Sequence, residues 1–425
     1  MIFIFILIFG VLFLFVNLRQ VAPGNRGSIL AGILVVLLPV CFIFRDMFWA
    51  CIGQAFLSVW LCESLLLYVC WWIFRLCRRI AVRRPMPQRA TVVAARVLLL
   101  VSFAVTGVMC VAGYSHNTNY ILREATVEIH VELPSDSTAG TPNPDSSAAL
   151  DSAQSALDSA QSDTASPEVA QVPRASSIAA APRNFTALFF SDLHLDPLIR
   201  RAKVERMVRE ADSLKPDLIL FGGDLADEHD SVLTDQGYDT LFARLAAAAR
   251  VGAFAVNGNH EAYMERDGSD IEGFLRRSGW VYLDDSTACT EVACITGRTD
   301  VQMARAREMD RRPLALLEPG QAAHPAAGRL PWLLMDHEPK GLSGPEDSGY
   351  SGRLPDFALS GHTHDGQFFP GTVIINWVWR LAYGFGTLDS VRWLVSSGVD
   401  SWGPPVRVGS DTEMWLLHFV VGSGL

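Results

Sequence analysis

Apolar residues are spread very unevenly along this chain. Met1 to Val16 is almost unbroken Ile, Leu, Phe and Val, and Ser28 to Phe44 is a second apolar run. Phe48 to Phe74 is a third, interrupted by Gln54 and Glu63, and Ala94 to Tyr114 is a fourth, entered at Arg96. A helix needs about 20 residues to cross a ~30 Å hydrocarbon layer. The last two runs meet that length and the first two reach the short end of the range, so four membrane spans are predicted. The first run lacks the basic start and small-residue cleavage site of a signal peptide. Arg75, Arg78, Arg79, Arg83, Arg84 and Arg89 crowd the loop between the third and fourth runs, which marks that loop as cytoplasmic. Alternation then puts everything after Tyr114 outside the cytoplasm. Glu63 falls mid-span, where an ionised carboxylate is costly. It either handles a proton or ligand, or holds the bundle together as a neutral or helix-facing group.

The pattern changes after residue 115. Ala125 to Leu133 alternates apolar and polar positions and reads as a strand. Residues 134–182 are rich in Ser, Ala, Asp, Pro and Thr and contain a near-repeat beginning at Leu150 and Leu157. So little apolar surface cannot form a core, and the segment reads as a disordered linker inserted into a hairpin at the domain's edge. From Phe185 on, strands and helices alternate. Strands are expected at Phe185–Phe190, Asp217–Phe221 and Ala253–Val256, with helices at Ala202–Leu214 and Tyr238–Arg250. Later strands are expected at Cys294–Thr296, Trp332–Met335, Phe357–Leu359, Val373–Ile375, Arg392–Val395 and Met414–Phe419. The predicted architecture is therefore α/β, a two-sheet β-sandwich flanked by helices and preceded by an all-α four-helix transmembrane region. The corresponding boundaries are 1–114 for the membrane region, 115–133 for the start of an extracytoplasmic domain, 134–182 for the linker and 183–425 for the main domain.

Composition sharpens this picture in two places. The net charge of −10 over 425 residues arises after residue 115, so no nucleic-acid partner is expected. Cys289 and Cys294 are the one cysteine pair in the second half. Across a tight hairpin in an oxidising compartment they would form a disulfide; two reduced strand cysteines fit the sequence equally well.

The candidate chemistry lies at the ends of the predicted strands. Asp192-Leu193-His194 follows the first, Gly222-Gly223-Asp224 the second, and Gly258-Asn259-His260-Glu261 the third. His337 follows Trp332–Met335, and Gly361-His362-Thr363-His364 follows Phe357–Leu359. The carboxyl ends of strands in α/β folds converge on one crevice, so these distant segments would meet. Carboxylates, an amide oxygen and imidazoles are the donors that divalent transition metals prefer.

In this order the motifs resemble the calcineurin-like metallophosphoesterase superfamily, from about Ala125 to the C-terminus. The likeness is sharpest to a bacterial membrane-associated branch, whose members end in a stretch similar to Ser397–Arg407. The resemblance implies one metal on Asp192, His194, Asp224 and His364. It implies a second on Asp224, Asn259, His337 and His362, with Asp224 bridging. Two divalent ions are implied, and Mn, Fe, Zn, Co and Ni all suit the set. The implied reaction is attack of a metal-bound hydroxide on phosphorus. His260 would protonate or stabilise the leaving group, and Glu261 would orient a histidine from behind. Arg298 and Asp365 are candidate substrate contacts, and Asp300 is read as structural. Three positions depart from the branch: Asp365 replaces a usual glycine, Asp400 a small residue, and Ser397 a frequent arginine.

The aromatic segment Phe368–Phe385 follows the histidine pair. It either packs as a helix on the sheet or forms a wall for acyl chains at the lipid interface. The leading reading is a membrane-anchored dinuclear phosphoesterase acting on phosphodiesters or phosphomonoesters, with a lipid-linked substrate attractive. The bacterial inner membrane is the implied setting, with the lipid bilayer as partner and the catalytic domain extracytoplasmic. The other reading is a metal-binding sensor or interaction module, catalytically weak and coupled to the membrane bundle.

Overall fold

The computed structural model describes residues 47–84, 86–131, 183–195, 201–227, 229–320, 324 and 326–423, with scattered positions from Leu18 to Cys41. The predicted first span and the linker at 134–182 lie outside the described residues, as does most of the second span. Helix α1 covers Phe48–Val82 and α2 Gln88–Asn117. Both are long and apolar enough to cross a membrane. Leu100, Val108 and Val111 of α2 are 69–73% exposed, a density of bare aliphatic side chains that suits hydrocarbon rather than water. Inside the pair, Thr106 donates to Glu63 Oε2 at 2.7 Å and Trp60 Nε1 donates to Ser102 Oγ at 3.0 Å. Glu63 is thus a buried acceptor joining the two helices.

After α2 the chain turns directly into β1 (Ile121–Val131) and resumes at β2 (Phe185–Phe190). The βα alternation then runs α3 (Arg201–Leu214), β3 (Leu218–Phe221), α4 (Asp230–Asp235), α5 (Tyr238–Ala248), β4 (Gly252–Ala255), α6 (Asn259–Arg266), α7 (Ile271–Arg277) and β5 (Val281–Tyr282). A second set follows: β6 (Ser286–Cys289), β7 (Cys294–Gly297), α8 (Val301–Ala306), β8 (Trp332–Met335), β9 (Phe357–Ser360), α9 (Gly371–Val378), β10 (Gly384–Leu388) and β11 (Val391–Val395). The last strand, β12 (Glu413–Ser423), returns to the first sheet.

These strands form two six-stranded mixed sheets, ordered β1-β12-β2-β3-β4-β5 and β10-β11-β9-β8-β7-β6. Their facing sides share one core that includes Phe189, Leu220, Phe254, Ile295, Leu333, Leu359 and Leu417. Each such side chain, fully buried, contributes about 1.5–3 kcal/mol. Helices α3, α5 and α7 cover the outer face of the first sheet through Met207, Phe242 and Phe274. This is the predicted fold, with helices against two packed sheets.

Two local expectations change, and one open alternative is settled. β1 and β2 are not a hairpin: β12 lies between them, parallel to β1 and antiparallel to β2. Two strands flanking a linker look like a hairpin in sequence, and only the return of a strand some 230 residues away reveals otherwise. Val373–Ile375 is not a strand but the centre of α9; Pro370 precedes its first turn, where a missing N–H costs nothing. Cys289 and Cys294 pair across β6 and β7 and are joined by a disulfide.

Candidate metal centre

Each chemical residue sits just beyond a strand end, as the sequence pattern predicts. β2 delivers Asp192 and His194, β3 delivers Asp224, and β4 leads into Asn259 and His260 at the start of α6. β8 delivers His337, and β9 delivers His362 and His364. Asp192, His194, Asp224, His362 and His364 all adopt left-handed backbone, with φ between 43° and 71°. That region is costly for residues with a Cβ, and such strain collects at functional sites. A Cβ on Gly258 would collide with the Asp224 carboxylate, and one on Gly361 with that of Asp192. Both turns therefore require glycine.

Among the described residues, three groups have candidate ligand atoms within 4.8 Å of one another: Asp192–His194–His364, Asp224–His337–His362 and His194–Asp227–His260. The first two correspond to the two half-sites expected. Asp224 Oδ2 stands between them, 3.0 Å from His337 Nε2 and 3.7 Å from His194 Nε2. Asn259 Oδ1 lies 2.7 Å from His362 Nδ1, in the second half-site. Asp192 Oδ1 lies 3.5 Å from His364 Nε2 and 3.9 Å from His194 Nε2.

The fit to a cation is tested best at His337. Its Nδ1 is 2.7 Å from the Gly222 carbonyl, which can only accept, so Nδ1 carries the proton. The buried Nε2 then has no hydrogen-bond partner, yet it faces the Asp224 oxygen at 3.0 Å. Two lone pairs at that distance repel unless a proton or a cation lies between or beside them. Without an ion the proton is the remaining solution: burial alone lowers the His337 pKa, but Asp224 outweighs it and drives it well above the usual value. The reciprocal holds for Asp224, where burial raises the pKa and His337 and His260 hold it well below the carboxylate range. Among the described residues no carboxylate forms an ion pair with the His362 ring, and burial together with His337 pulls it down to about 4. The donor set and its orphaned nitrogen thus fit a divalent ion.

The first half-site has different backing. His194 Nδ1 lies 2.8 Å from Asp227 Oδ1, so its Nε2 points into the cluster, 3.0 Å from His364 Nε2. The same Asp227 oxygen is 2.6 Å from His260 Nδ1. Burial opposes a charge on His194, but Asp227, Asp224 and Asp192 raise its pKa to about 9. Burial likewise opposes charge on Asp227, and the flanking His194 and His260 hold it well below the carboxylate range. Behind His364 stands a cation instead. Arg407 Nη2 is 2.9 Å from His364 Nδ1, and Arg407 Nη1 donates to the His364 carbonyl at 2.7 Å. A guanidinium only donates, so His364 Nδ1 accepts. Burial and Arg407 push His364 well below its usual pKa. Arg407 is itself fully buried among carbonyl oxygens, including that of Ser397 at 2.6 Å, and burial lowers its pKa to about 10.

Asp227 and the role of Arg407 are absent from the sequence reading. Asp227 follows Asp224 by three residues on the same loop, a spacing that could have flagged it. Glu261 does not orient a histidine. Its buried carboxylate accepts from the backbone N–H groups of Gly258 (2.6 Å), Leu225 (2.6 Å) and Asp224 (3.0 Å), pinning two ligand loops together. Arg298 is not brought to the cluster. It is buried against Asp347 at 2.9 Å and Asp285 at 3.3 Å. Asp300 caps α8 by accepting from Gln302 N at 2.7 Å. Asp365 has φ 48°, which explains why glycine suits the position, and burial pushes its carboxyl up to about 6 against the pull of Arg407.

Asp400, a second departure, ties the centre to α2. It accepts from Asn117 Nδ2 at 2.8 Å and from Lys203 Nζ at 2.5 Å. Lys203 also donates to the Asn117 carbonyl at 2.7 Å, and Ser401 Oγ donates to Asn117 Oδ1 at 2.8 Å. Backbone bonds from Val399 N to Ser191 O and from Asp400 N to Asp192 O carry this network to Asp192, a candidate ligand.

Two mixed sheets flanked by helices, with carboxylates and imidazoles gathered where the strands end, define a metallophosphoesterase domain. Residues 185–366 match the family model for calcineurin-like phosphoesterase, and the chain carries a domain of that family. It is 27% identical over 248 residues to a transmembrane protein with metallophosphoesterase domain of Danio rerio, covering 53% of this chain and 51% of that protein. It is 28% identical over 228 residues to an uncharacterized metallophosphoesterase of Aquifex aeolicus, covering 53% of this chain and 80% of that protein. It is 28% identical over 190 residues to the phosphodiesterase YaeI of Escherichia coli, covering 44% of this chain and 63% of that protein. The matched stretch spans about half the length of the Danio rerio protein and of other relatives that the chain matches. The relatives are animal as well as bacterial, so the likeness is not confined to a bacterial branch. Together with α1 and α2, the relatives named as transmembrane proteins point to membrane association.

Proposed function

We propose that this protein is a membrane-anchored phosphoesterase with two divalent ions, acting on phosphodiesters or phosphomonoesters outside the cytoplasm. The observation that carries it is the pair of facing acceptors, His337 Nε2 and Asp224 Oδ2, buried at 3.0 Å. Asp192, His194, Asp224 and His364 would hold one ion, and Asp224, Asn259, His337 and His362 the other. Bound there, such ions lower the pKa of water and stabilise the charge that develops during phosphoryl transfer.

The chain's own groups do the rest. His260 Nδ1 is tied to Asp227, so Nε2 is the nitrogen left to meet the substrate. A proton on Nε2 makes the ring an imidazolium, which the Asp227 carboxylate stabilises, and this suits His260 to protonate a leaving oxygen. Tyr263 and Trp402 flank the His260 ring with centroids at 5.4 and 6.2 Å, and their exposed faces favour a substrate with an apolar part. A lipid-linked phosphoester fits that rim. Glu261 holds the ligand loops in register through backbone bonds. The arginines between α1 and α2 favour a cytoplasmic loop there, which leaves the domain on the opposite side of a multi-pass protein.

The test is hydrolysis of a chromogenic phosphodiester and its matching monoester by the full chain, with metal content measured on the same sample. Metal-dependent turnover that His260→Ala abolishes without loss of metal is the expected result. Two bound ions with no turnover on either ester or on a lipid phosphoester would sink the enzyme reading in favour of a sensor.

A further inference from the structure

Helix α9 has eight residues, five of them large and apolar, and buries none of them. Every other helix described in the domain buries at least one side chain. Val373 and Trp377 lie one turn apart on α9, 47% and 81% exposed, with Val378 beside them at 51% and Phe369 just before the helix at 39%. A domain in water gains nothing by presenting such a patch, and contiguous exposed apolar surface marks a site of contact.

Its position says what the contact is. Phe369 N donates to the Val408 carbonyl at 2.9 Å, and Gly409 lies against Thr372 of α9. On its other side the same segment packs on α2: Arg407 N donates to the Gly113 carbonyl at 3.1 Å, and Val406 and Val408 press on Gly113. A single extended segment therefore separates α9 from α2. The contact falls about one helical turn before α2 ends at Asn117, the level at which an emerging membrane helix leaves the hydrocarbon.

We propose that α9 lies flat in the bilayer interface, with Phe369, Val373 and Trp377 in the acyl boundary, and that it delivers membrane-embedded phosphoesters to the metal centre. An amphipathic or apolar helix with tryptophan at its edge is suited to that depth. Trp379, at the end of α9, has its ring 5.2 Å from that of His362, so the helix that touches lipid ends against the second half-site. An amphiphilic substrate reaches the centre without its acyl chain entering water. The bilayer is the occupant because the patch continues the surface from which α2 emerges. The docking rests on α2 as a membrane span, and the delivery rests on the phosphoesterase reading above.

The test uses the full chain in phosphatidylcholine–phosphatidylglycerol vesicles, with p-benzoylphenylalanine in place of Trp377, Val373, Val108 of α2 or Arg244 on the far helix α5. Lipid adducts at 377, 373 and 108 but not at 244 are expected on irradiation. Adducts at 108 alone overturn the docking and leave the span intact. None at 108 overturns the span and the proposal with it. Crosslinks from 377 to a second chain replace the bilayer with a dimer. A second arm reads delivery: Trp377→Ala lowers kcat/KM on a vesicle-embedded phosphoester about tenfold, the scale of one large apolar side chain, and leaves a soluble diester unchanged. Equal loss on both substrates overturns the delivery role.

Discussion

The two candidate half-sites offer the same ligand chemistry but stand on different ground. Behind His337 is a backbone carbonyl, Gly222 O, and His362 faces the amide of Asn259. Behind His194 is a carboxylate, Asp227, and behind His364 a guanidinium, Arg407. A neutral carbonyl fixes a ring's tautomer and little else. A carboxylate makes its imidazole a better donor, and a cation makes it a worse one. The second half-site is therefore a preformed pocket held by backbone. The first is tuned by opposing charges, and its Arg407–Asp400 support runs to Asn117 in α2. In the structure His364 Nδ1 accepts from Arg407, so the neutral ring carries its proton on Nε2, and an ion held there would require that proton to move to Nδ1 and the Arg407 contact to loosen. The second half-site should fill first.

The largest effect belongs to the one residue both halves share. Asp224→Asn should release both ions and lower turnover by about 10³-fold or more, scored by metal analysis and steady-state kinetics. Retention of one tight ion would mean that the halves do not depend on a common carboxylate.

Next comes the link to α2. Asp400→Ala removes the carboxylate beside the buried Lys203 and leaves its ammonium on the Asn117 and Val399 carbonyls, which should destabilise the full chain by about 3 kcal/mol in thermal or chemical unfolding. Lys203→Met with Asp400→Leu should recover most of that loss, because the charge is removed along with its partner. In the single variant the first half-site should lose metal before the second. Equal loss from both would show that the network supports the whole sandwich rather than one half.

Asp227→Asn sharpens the comparison within the first half-site. Removing the carboxylate behind His194 should weaken ion binding there 10- to 100-fold and leave the second ion's affinity unchanged, seen as a wider split in a stepwise metal titration. Turnover should fall further than affinity, since Asp227 also holds His260.

How much of this was legible in the sequence follows from the same contrast. The residues gathered at the second candidate half-site are ones the sequence singles out, because they are motif residues and the backbone beside them. His337, Asn259 and His362 could each be placed by the strand that precedes them. The first half-site's support was not legible in this way. Asp227 lies outside the motif segments, three residues past Asp224, and Lys203 and Asn117 meet Asp400 only because α3 and the end of α2 pack there. Contacts across some 200 to 280 residues leave no local trace. The fold class was legible from the alternation of βα units, while β12's place between β1 and β2 depended on pairing across the whole domain. For α9, a β-branched run argued for a strand, and only its exposed surroundings show why a short helix serves instead.

The smallest expected effect concerns Asp365, where two causes can be separated. Its left-handed backbone, φ 48°, is a conformation glycine adopts freely. Asp365→Gly should therefore gain stability, though by less than about 1 kcal/mol, since glycine's extra freedom in the unfolded chain offsets the relief. The carboxylate also follows His364 directly, close enough to the first half-site to oppose an incoming phosphate. Losing one charge across partly screened space should lower KM about fivefold. Asp365→Asn keeps the backbone requirement and removes only the charge. A KM drop in both variants with a stability gain in glycine alone would assign the two effects to their separate causes. A KM unchanged in both would mean that Arg407 already neutralises Asp365, and that the guanidinium behind His364 balances two neighbours at once.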